Sequence, residues 1–122
     1  MNVFNNLIIF IILLISKSIR SWSNNYKFHV NVQTKCYCTN ETVNVSLYVQ
    51  YSSRSPYDTK SGKCSSNFSL LATTAWGTLY DLAVDIFHNN CTSRPKTTIL
   101  VKRDCKNSRY KGYDYYYNCN EN

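Results

Sequence analysis

A short segment, residues 82–91, limits the folds open to this chain more than any other feature. Leu82, Val84 and Ile86 lie two positions apart, with small or acidic residues between them. Successive side chains of a β-strand point to opposite faces, so a period of two predicts a strand with one buried and one wetter face. The segment ends with His88 and a cysteine inside a glycosylation sequon. We expect the rest of the chain to be organised around this half-buried strand.

The same alternation recurs elsewhere, most clearly at Val43, Val45, Leu47 and Val49. About seven short strands without a long helical period are typical of a small antiparallel β-sandwich, so we predict an all-β fold. Residues 52–66, rich in turn formers, predict a polar loop. The other predicted strands cover residues 28–38, 68–70, 97–102 and 113–117.

Six cysteines in 122 residues indicate an oxidising compartment and a fold held by disulfides. Cys36 and Cys38 share a face of the predicted strand, so each should bond to a different partner. Six cysteines allow 15 connectivities. We expect one bond between Cys105 and Cys119, and bonds from Cys36 and Cys38 to Cys64 and Cys91 in either order.

The start of the chain is typical of a signal peptide. Residues 7–15 are apolar, which is too short for the roughly 20 residues that span a bilayer. Small-x-small sites follow, and we predict cleavage after Ser23, leaving residues 24–122 as one domain and removing any membrane span. No Lys or Arg precedes the apolar run, so a retained membrane anchor is the alternative.

Four N-glycosylation sequons agree with secretion to the extracellular space. They begin at Asn40, Asn44, Asn67 and Asn90. The formal net charge is +7, or +5 without Lys17 and Arg20 of the leader. The basic residues are scattered along the sequence and form no basic stripe, so we expect no nucleic-acid partner.

The sequence contains two imidazoles, those of His29 and His88. A hydrogen bond that fixes the loop is the expected role of His88, and a solvated position on a polar strand face is expected for His29. Cys36 and Cys38 are spaced too tightly for a zinc knuckle. Asp81 and Asp85 would lie about 13 Å apart on one strand face, too far for a retaining glycosidase pair. We therefore predict no catalytic residue, no cofactor and no metal ligand.

Five short segments of the chain resemble the transthyretin-like family of secreted nematode proteins. They are Val43-Asn44-Val45-Ser46-Leu47-Tyr48, Phe68-Ser69-Leu70, Ile86-Phe87-His88-Asn89-Asn90-Cys91, Arg94-Pro95-Lys96-Thr97-Thr98-Ile99 and Tyr113-Asp114. The resemblance implies a transthyretin-type Greek-key sandwich of seven or eight strands, related in architecture to immunoglobulin domains. It also implies an extracellular, non-enzymatic role.

The chain departs from that family pattern at several positions. One extra residue lies between His88 and Cys91, Asn67 occupies the place of the usual glycine, and Cys64 and Cys105 are additional. The usual cysteine before the basic segment is missing. Disulfide connectivity is therefore not transferred from the family.

These observations predict a secreted, glycosylated β-sandwich that binds an extracellular partner: a protein, a lipid head group or a small hydrophobic ligand. Two alternatives stay open. One is a secreted, ribonuclease-like hydrolase using His88 and His29, since two histidines and a lysine can do acid–base chemistry. The other is a surface protein anchored by residues 7–15.

Overall fold

A computed structural model describes residues 5–12 and 25–122. Residues 5–12 are helical (α1). The predicted cleavage position after Ser23 lies outside the described residues. Within the described ranges, no helix has the length and apolar character needed to cross a membrane.

From residue 25 onward the chain is mostly β-structure, with two short helical segments. The strands are β1 (Tyr26–Gln33), β2 (Thr42–Val49), β3 (Asp58–Lys63), β4 (Asn67–Thr74), β5 (Leu82–Asn89), β6 (Lys96–Leu100), β7 (Lys106–Lys111) and β8 (Asp114–Asn120). A 3₁₀ helix (Trp76–Asp81) precedes β5, and a four-residue helix, α2 (Val101–Asp104), follows β6. The strands form two four-stranded sheets: the β1 sheet, in the order β4-β1-β8-β7, and the β2 sheet, in the order β3-β2-β5-β6.

The inward-facing side chains of the two sheets form one hydrophobic cluster, which gives the fold a sandwich-like arrangement. Alternation creates this core, because every second residue of β1, β2 and β4 is buried while its neighbours are more exposed. The largest fully buried side chains are those of Phe28, Val30, Val32, Val43, Val45, Leu47, Leu70, Leu79, Leu82, Val84, Ile86 and Val101.

The strand pairing is mixed, so the expectation of a purely antiparallel fold is wrong at one place. β1 pairs with β8 in parallel, with Phe28 opposite Tyr115 and Val32 opposite Cys119. Parallel neighbours need a long connection between them, and here that connection is most of the domain, from β2 to β7. The other pairs are antiparallel.

The strand that organises the fold, β5, is more buried than the expected half-buried strand. Its supposedly wet face holds Ala83 and Asp85, and both are buried. The reason is position: β5 lies between β2 and β6, and Tyr48 and Thr98 from those strands donate hydrogen bonds to Asp85 at 3.0 and 2.7 Å. Burial and the Asp85 carboxylate raise the pKa of Tyr48 to about 12.

Three segment boundaries also differ from the sequence-based expectations. The predicted strand 28–38 ends at Gln33, and the chain then leaves the sheet, with the backbone N–H of Thr34 bonded to Ser66. The predicted loop 52–66 contains the edge strand β3, which pairs through its backbone although its side chains are polar. The predicted strand 97–102 turns into α2, where the Asp104 carboxylate accepts the Leu100 N–H.

All six cysteines lie in the described residues and all are paired. Cys36 bonds to Cys64, Cys38 to Cys91, and Cys105 to Cys119. The structure thus selects one of the two orders that the sequence left open. Two of the bonds lie where β1 and β5 end and β2 begins, and we call this region the disulfide end.

Candidate functional site

A buried cluster of three charged side chains lies at the disulfide end, and we call Glu41, His88 and Glu121 the His88 cluster. Nδ1 of His88 contacts Oε1 of Glu41, and Nε2 lies 2.5 Å from Oε2 of Glu121. All three side chains have zero solvent exposure. Glu41 precedes β2, His88 is in β5, and Glu121 follows β8 of the other sheet, so the cluster connects the two sheets.

The backbone fixes both carboxylates in place. Oε2 of Glu41 accepts the N–H groups of Tyr37 and Cys38, at 3.2 and 2.7 Å. Glu121 uses its second oxygen to accept the N–H of Lys35 at 2.9 Å. The segment that leaves β1 is therefore bound to the His88 cluster by three backbone hydrogen bonds, which explains why it turns away from the sheet.

The hydrogen bonds of the cluster favour a charged imidazole between two carboxylates. Only a protonated imidazole donates from both nitrogens, while ionised carboxylates only accept. Burial by itself lowers the pKa of His88, but the hydrogen bonds to Glu121 and Glu41 outweigh it and raise that pKa above its ordinary value. Burial raises the pKa of Glu41, but the hydrogen bonds from His88, Cys38 and Tyr37 outweigh it and lower that pKa.

Aromatic and cationic groups close the cluster off from solvent. The Tyr37 ring meets the His88 ring edge-on, with centroids 5.0 Å apart, and the Arg94 guanidinium lies 4.5 Å from the centre of the Tyr37 ring. A substrate cannot reach a side chain with zero exposure. The His88 cluster is therefore a structural ion cluster that holds the two sheets together.

A group with metal-ligand atoms lies beside this cluster. Ligand atoms of Cys38, Glu41 and Cys91 all lie within 4.8 Å of one another. Both sulfurs are joined in a disulfide, and the Glu41 oxygens already accept hydrogen bonds. Metal binding by cysteine needs a free thiolate, so the donor set does not fit a metal site.

The opposite kind of surface, exposed and polar, covers the outer side of the β1 sheet. The strand register arranges its side chains in three rows across β4, β1, β8 and β7, and we call this set the outer face. Its rows are Thr73, Lys27, Asp114 and Lys111; then Leu71, His29, Tyr116 and Arg109; then Ser69, Asn31, Asn118 and Lys106.

The central row of the outer face is a stack of three planar groups. The rings of His29 and Tyr116 are nearly parallel, at 9°, with centroids 4.4 Å apart, and the Arg109 guanidinium lies 4.4 Å from the centre of the Tyr116 ring. Nε2 of His29 also lies 2.9 Å from Oδ1 of Asp114. His29 thus lies on the polar face of its strand, as expected, and its half-exposed side chain is also held by two neighbours.

A shallow cleft of about 480 Å³ lies along this face. Its floor includes the central row, and its rim includes Asp58 and Lys60 of β3. Oδ2 of Asp58 accepts the N–H of Leu71 at 3.0 Å, which links the rim to β4. The cleft is lined by amide, hydroxyl, aromatic and charged groups together with the aliphatic residues Val30, Leu70 and Leu71.

The predicted glycosylation sites differ in their position relative to this cleft. Asn40 and Asn90 are exposed near the disulfide end, and Asn44 lies on the outer side of the β2 sheet opposite Phe87 and Ser61. Asn67 is exposed at the start of β4, on the same outer side as the cleft residue Ser69.

The two histidines have different surroundings. The His88 side chain is buried in the interior, whereas His29 lies in the cleft.

Sequence reasoning missed several residues that define these two regions. Glu41 and Glu121 had no signal of their own, because their link to His88 spans 47 and 33 residues. Arg109 and Tyr116 form a row with His29 only through the parallel β1–β8 pair. Asp85 was expected on an exposed face with Asp81, but it is buried under Tyr48 and Thr98.

No protein family, no curated protein and no solved structure matches this chain.

Proposed function

We propose that this protein is a secreted, glycosylated, disulfide-bonded β-sandwich that acts by binding an extracellular ligand on the outer face of its β1 sheet. The observation that carries the proposal is the polar cleft of about 480 Å³ on that face, which has charged, amide and aromatic groups on a rigid sheet. Rigid elements that present a few polar groups in a concave surface are the usual form of a binding site.

The disulfides and sequons support an extracellular location. Three disulfides persist where the environment is oxidising. The acceptor residues Asn40, Asn67 and Asn90 are exposed, so an oligosaccharide attached there disturbs no core contact. On this proposal the apolar segment at residues 7–15 is part of a leader that is removed after Ser23.

We further propose that the architecture is of the transthyretin type, as the segments resembling the nematode family imply. Eight strands in two sheets around one core agree with that expectation in number and layering. The segment Ile86-Phe87-His88-Asn89-Asn90-Cys91 has a structural role. It supplies the buried imidazole at the end of β5 and one cysteine of a disulfide.

The chemistry of the cleft favours a polar ligand over a small hydrophobic one. Leu71 is the exposed aliphatic side chain of the three rows, whereas the remaining positions are hydroxyl, amide, ring or charged groups. A hydrophobic ligand would leave those polar groups without partners, which costs free energy.

A pair of tryptophan substitutions tests the proposed binding face. Asn31→Trp adds bulk to the cleft on the outer face, and Thr59→Trp adds the same bulk to β3, where Thr59 faces the opposite side with Ser46. Purified secreted protein is offered matrix proteins, phospholipid vesicles and polysaccharides. We expect at least one ligand that Asn31→Trp binds at least tenfold more weakly and Thr59→Trp binds normally. Equal binding by both variants for every ligand, or no ligand at all, contradicts the proposal.

One observation favours a second candidate, a secreted hydrolase. His29 lies in the cleft with its Nε2 2.9 Å from Oδ1 of Asp114, and a carboxylate-oriented imidazole is a common general base. Incubation of purified protein with RNA tests it: hydrolysis that His29→Asn abolishes supports the enzyme. Intact RNA, or hydrolysis that survives this substitution, rules out His29 catalysis.

A further inference from the structure

We infer that the ligand of the outer face is an acidic polysaccharide, a sugar polymer that carries sulfate or carboxylate groups. This inference rests on the proposed function and names the ligand class for the same surface. Four independent features of the face carry it: a line of cations, carboxylates with other partners, an occupied aromatic stack and a row of amides.

The cations of the face form a line along one strand. Lys106, Arg109 and Lys111 are register partners of Asn118, Tyr116 and Asp114, so all three lie on the outer side of β7. A bulge between Asn107 and Arg109 brings the first cation onto the same side as the other two. Their register partners on β8 are two residues apart each time, so the line spans roughly 13 Å at the strand rise of about 3.3 Å per residue. Cations at regular register positions match a linear polymer that repeats its anionic groups.

Within the part of the chain that the structure describes, the three cations of β7 form no ion pair, although the Asp114 carboxylate lies opposite Lys111 on the neighbouring strand. Oδ1 of Asp114 lies 2.9 Å from Nε2 of His29, and Oδ2 of Asp58 accepts the N–H of Leu71. Among the described residues, no ion pair joins a carboxylate to Lys106, Arg109 or Lys111. An anion that binds these cations therefore does not have to break an existing ion pair.

The aromatic stack argues against a nucleic acid, the other common linear polyanion. Proteins bind single-stranded nucleic acids by stacking bases on free aromatic faces. The Tyr116 ring has His29 on one neighbouring strand and Arg109 on the other, so both of its neighbours already stack on it. A base therefore has no free face of Tyr116 on which to stack, whereas hydrogen bonds to sugar hydroxyls need none.

Amides and a hydroxyl form the third row of the face, in line with the cation Lys106. Asn31 and Asn118 are direct register partners, with Ser69 on the next strand. Side-chain amides offer both donors and acceptors, which match sugar hydroxyls that also donate and accept.

A charge-matched pair of triple variants tests the inference. Lys106→Gln/Arg109→Gln/Lys111→Gln removes the line of cations. Lys63→Gln/Lys96→Gln/Arg54→Gln removes two lysines and one arginine from exposed positions elsewhere and serves as the control. Heparin is the probe, and its dissociation constant is measured at about 0.15 M salt, where long-range surface charge is largely screened. We expect at least tenfold weaker binding for the β7 variant and at most twofold for the control.

Other outcomes overturn the inference. Equal weakening by both variants means that only net charge attracts heparin. Binding of polyuridylate as tight as heparin, and equally sensitive to the β7 variant, assigns the face to nucleic acids instead. No heparin binding by the unmodified protein rejects the polysaccharide, while the proposed function still stands if Asn31→Trp weakens binding of another ligand. If both tests fail, the binding face itself is wrong.

A second measurement separates ligand binding from the protective role of charges on an edge strand. Lysines on an exposed edge also discourage sheet-to-sheet association, and that role alone predicts aggregation of the β7 variant. Lysine acetylation of the unmodified protein avoids this problem. Heparin should protect Lys106 and Lys111 and leave Lys63 and Lys96 reactive. Uniform protection, or none, contradicts the inference.

Discussion

Oε2 of Glu121 lies 2.5 Å from Nε2 of His88, across 33 residues of sequence and between the two sheets. The bond joins the segment after β8 to the end of β5, and Glu41 binds the other imidazole nitrogen. An ion cluster without solvent exposure is stable only while all its members are present, because each isolated charge is costly in the interior.

Replacement of the central imidazole should be among the most destabilising single changes. His88→Ala leaves two buried carboxylates without their cation, and removal of one partner from a buried ion pair typically costs about 3–5 kcal/mol. The free energy of unfolding, measured with urea, checks this. His29→Ala is the matched control, since the half-exposed pair with Asp114 should contribute at most about 1 kcal/mol. Similar losses for the two variants would contradict the structural role of the cluster.

The stability of the domain should depend on pH in two directions. The pKa of His88 is raised, so its contribution is complete below its ordinary value of about 6.5 and is lost as pH rises through the higher folded value. The pKa of Glu41 is lowered, so its contribution is present above about 4.5 and is lost as pH falls through the lower folded value. We expect maximal stability between about pH 4.5 and 6.5.

Thermal unfolding across pH measures this dependence. The unmodified protein should melt at the highest temperature inside that window and lose stability on both sides. In the His88→Ala variant, the melting temperature should no longer fall as the pH rises above that window. An alkaline decline of equal size in His88→Ala would mean that another group is responsible.

The stability lost on removal of each disulfide should increase with the length of the loop that the bond closes. The sequence separations are 53 for Cys38 and Cys91, 28 for Cys36 and Cys64, and 14 for Cys105 and Cys119. Loop-closure entropy predicts a difference of about 1 kcal/mol between the longest and the shortest. Paired Cys→Ser variants compared by urea unfolding test the order, and Cys91→Ser alone should be among the most damaging changes. A Cys105→Ser/Cys119→Ser variant that loses more stability than Cys38→Ser/Cys91→Ser would contradict it.

At least two N-linked glycans should be present on secreted protein. Asn40 and Asn67 are exposed near strand ends, and Asn44 lies on the outer side of β2. Asn90 is the least favourable acceptor, because Cys91 in its sequon is bonded to Cys38. Treatment with an N-glycosidase should lower the mass by two glycans or more. An unchanged mass would place the chain outside the secretory route.

The alternation of side chains made the strands β2 and β5 and the all-β class predictable. Val43, Val45 and Leu47 are buried as a period of two requires. The different partners of Cys36 and Cys38 were predicted from a shared strand face, but both cysteines lie beyond the end of β1. Local patterns do not identify a neighbour, however, so the parallel partnership of β1 with β8 was beyond reach. The polar strand β3 was missed for a related reason, since backbone pairing to β2 forms it without a hydrophobic signal.

The candidate sites were less predictable than the fold, because tertiary pairing creates them. Nothing near Glu41 in the sequence indicates a buried carboxylate, and its partner His88 is 47 residues away. The line of cations on β7 is visible as Lys106, Arg109 and Lys111, but their uneven spacing hides a shared face that only the bulge produces.

Binding of an acidic polysaccharide to the outer face is the central claim, and a nuclear magnetic resonance titration tests it most directly. Uniformly ¹⁵N-labelled, disulfide-bonded protein is titrated with a short heparin-derived oligosaccharide. We predict saturable amide shifts concentrated in β7, β8 and β1, with the largest changes near Arg109 and Tyr116, and none in β2 or β6. Shifts spread over both sheets, or centred on the outer side of the β2 sheet, would contradict the claim.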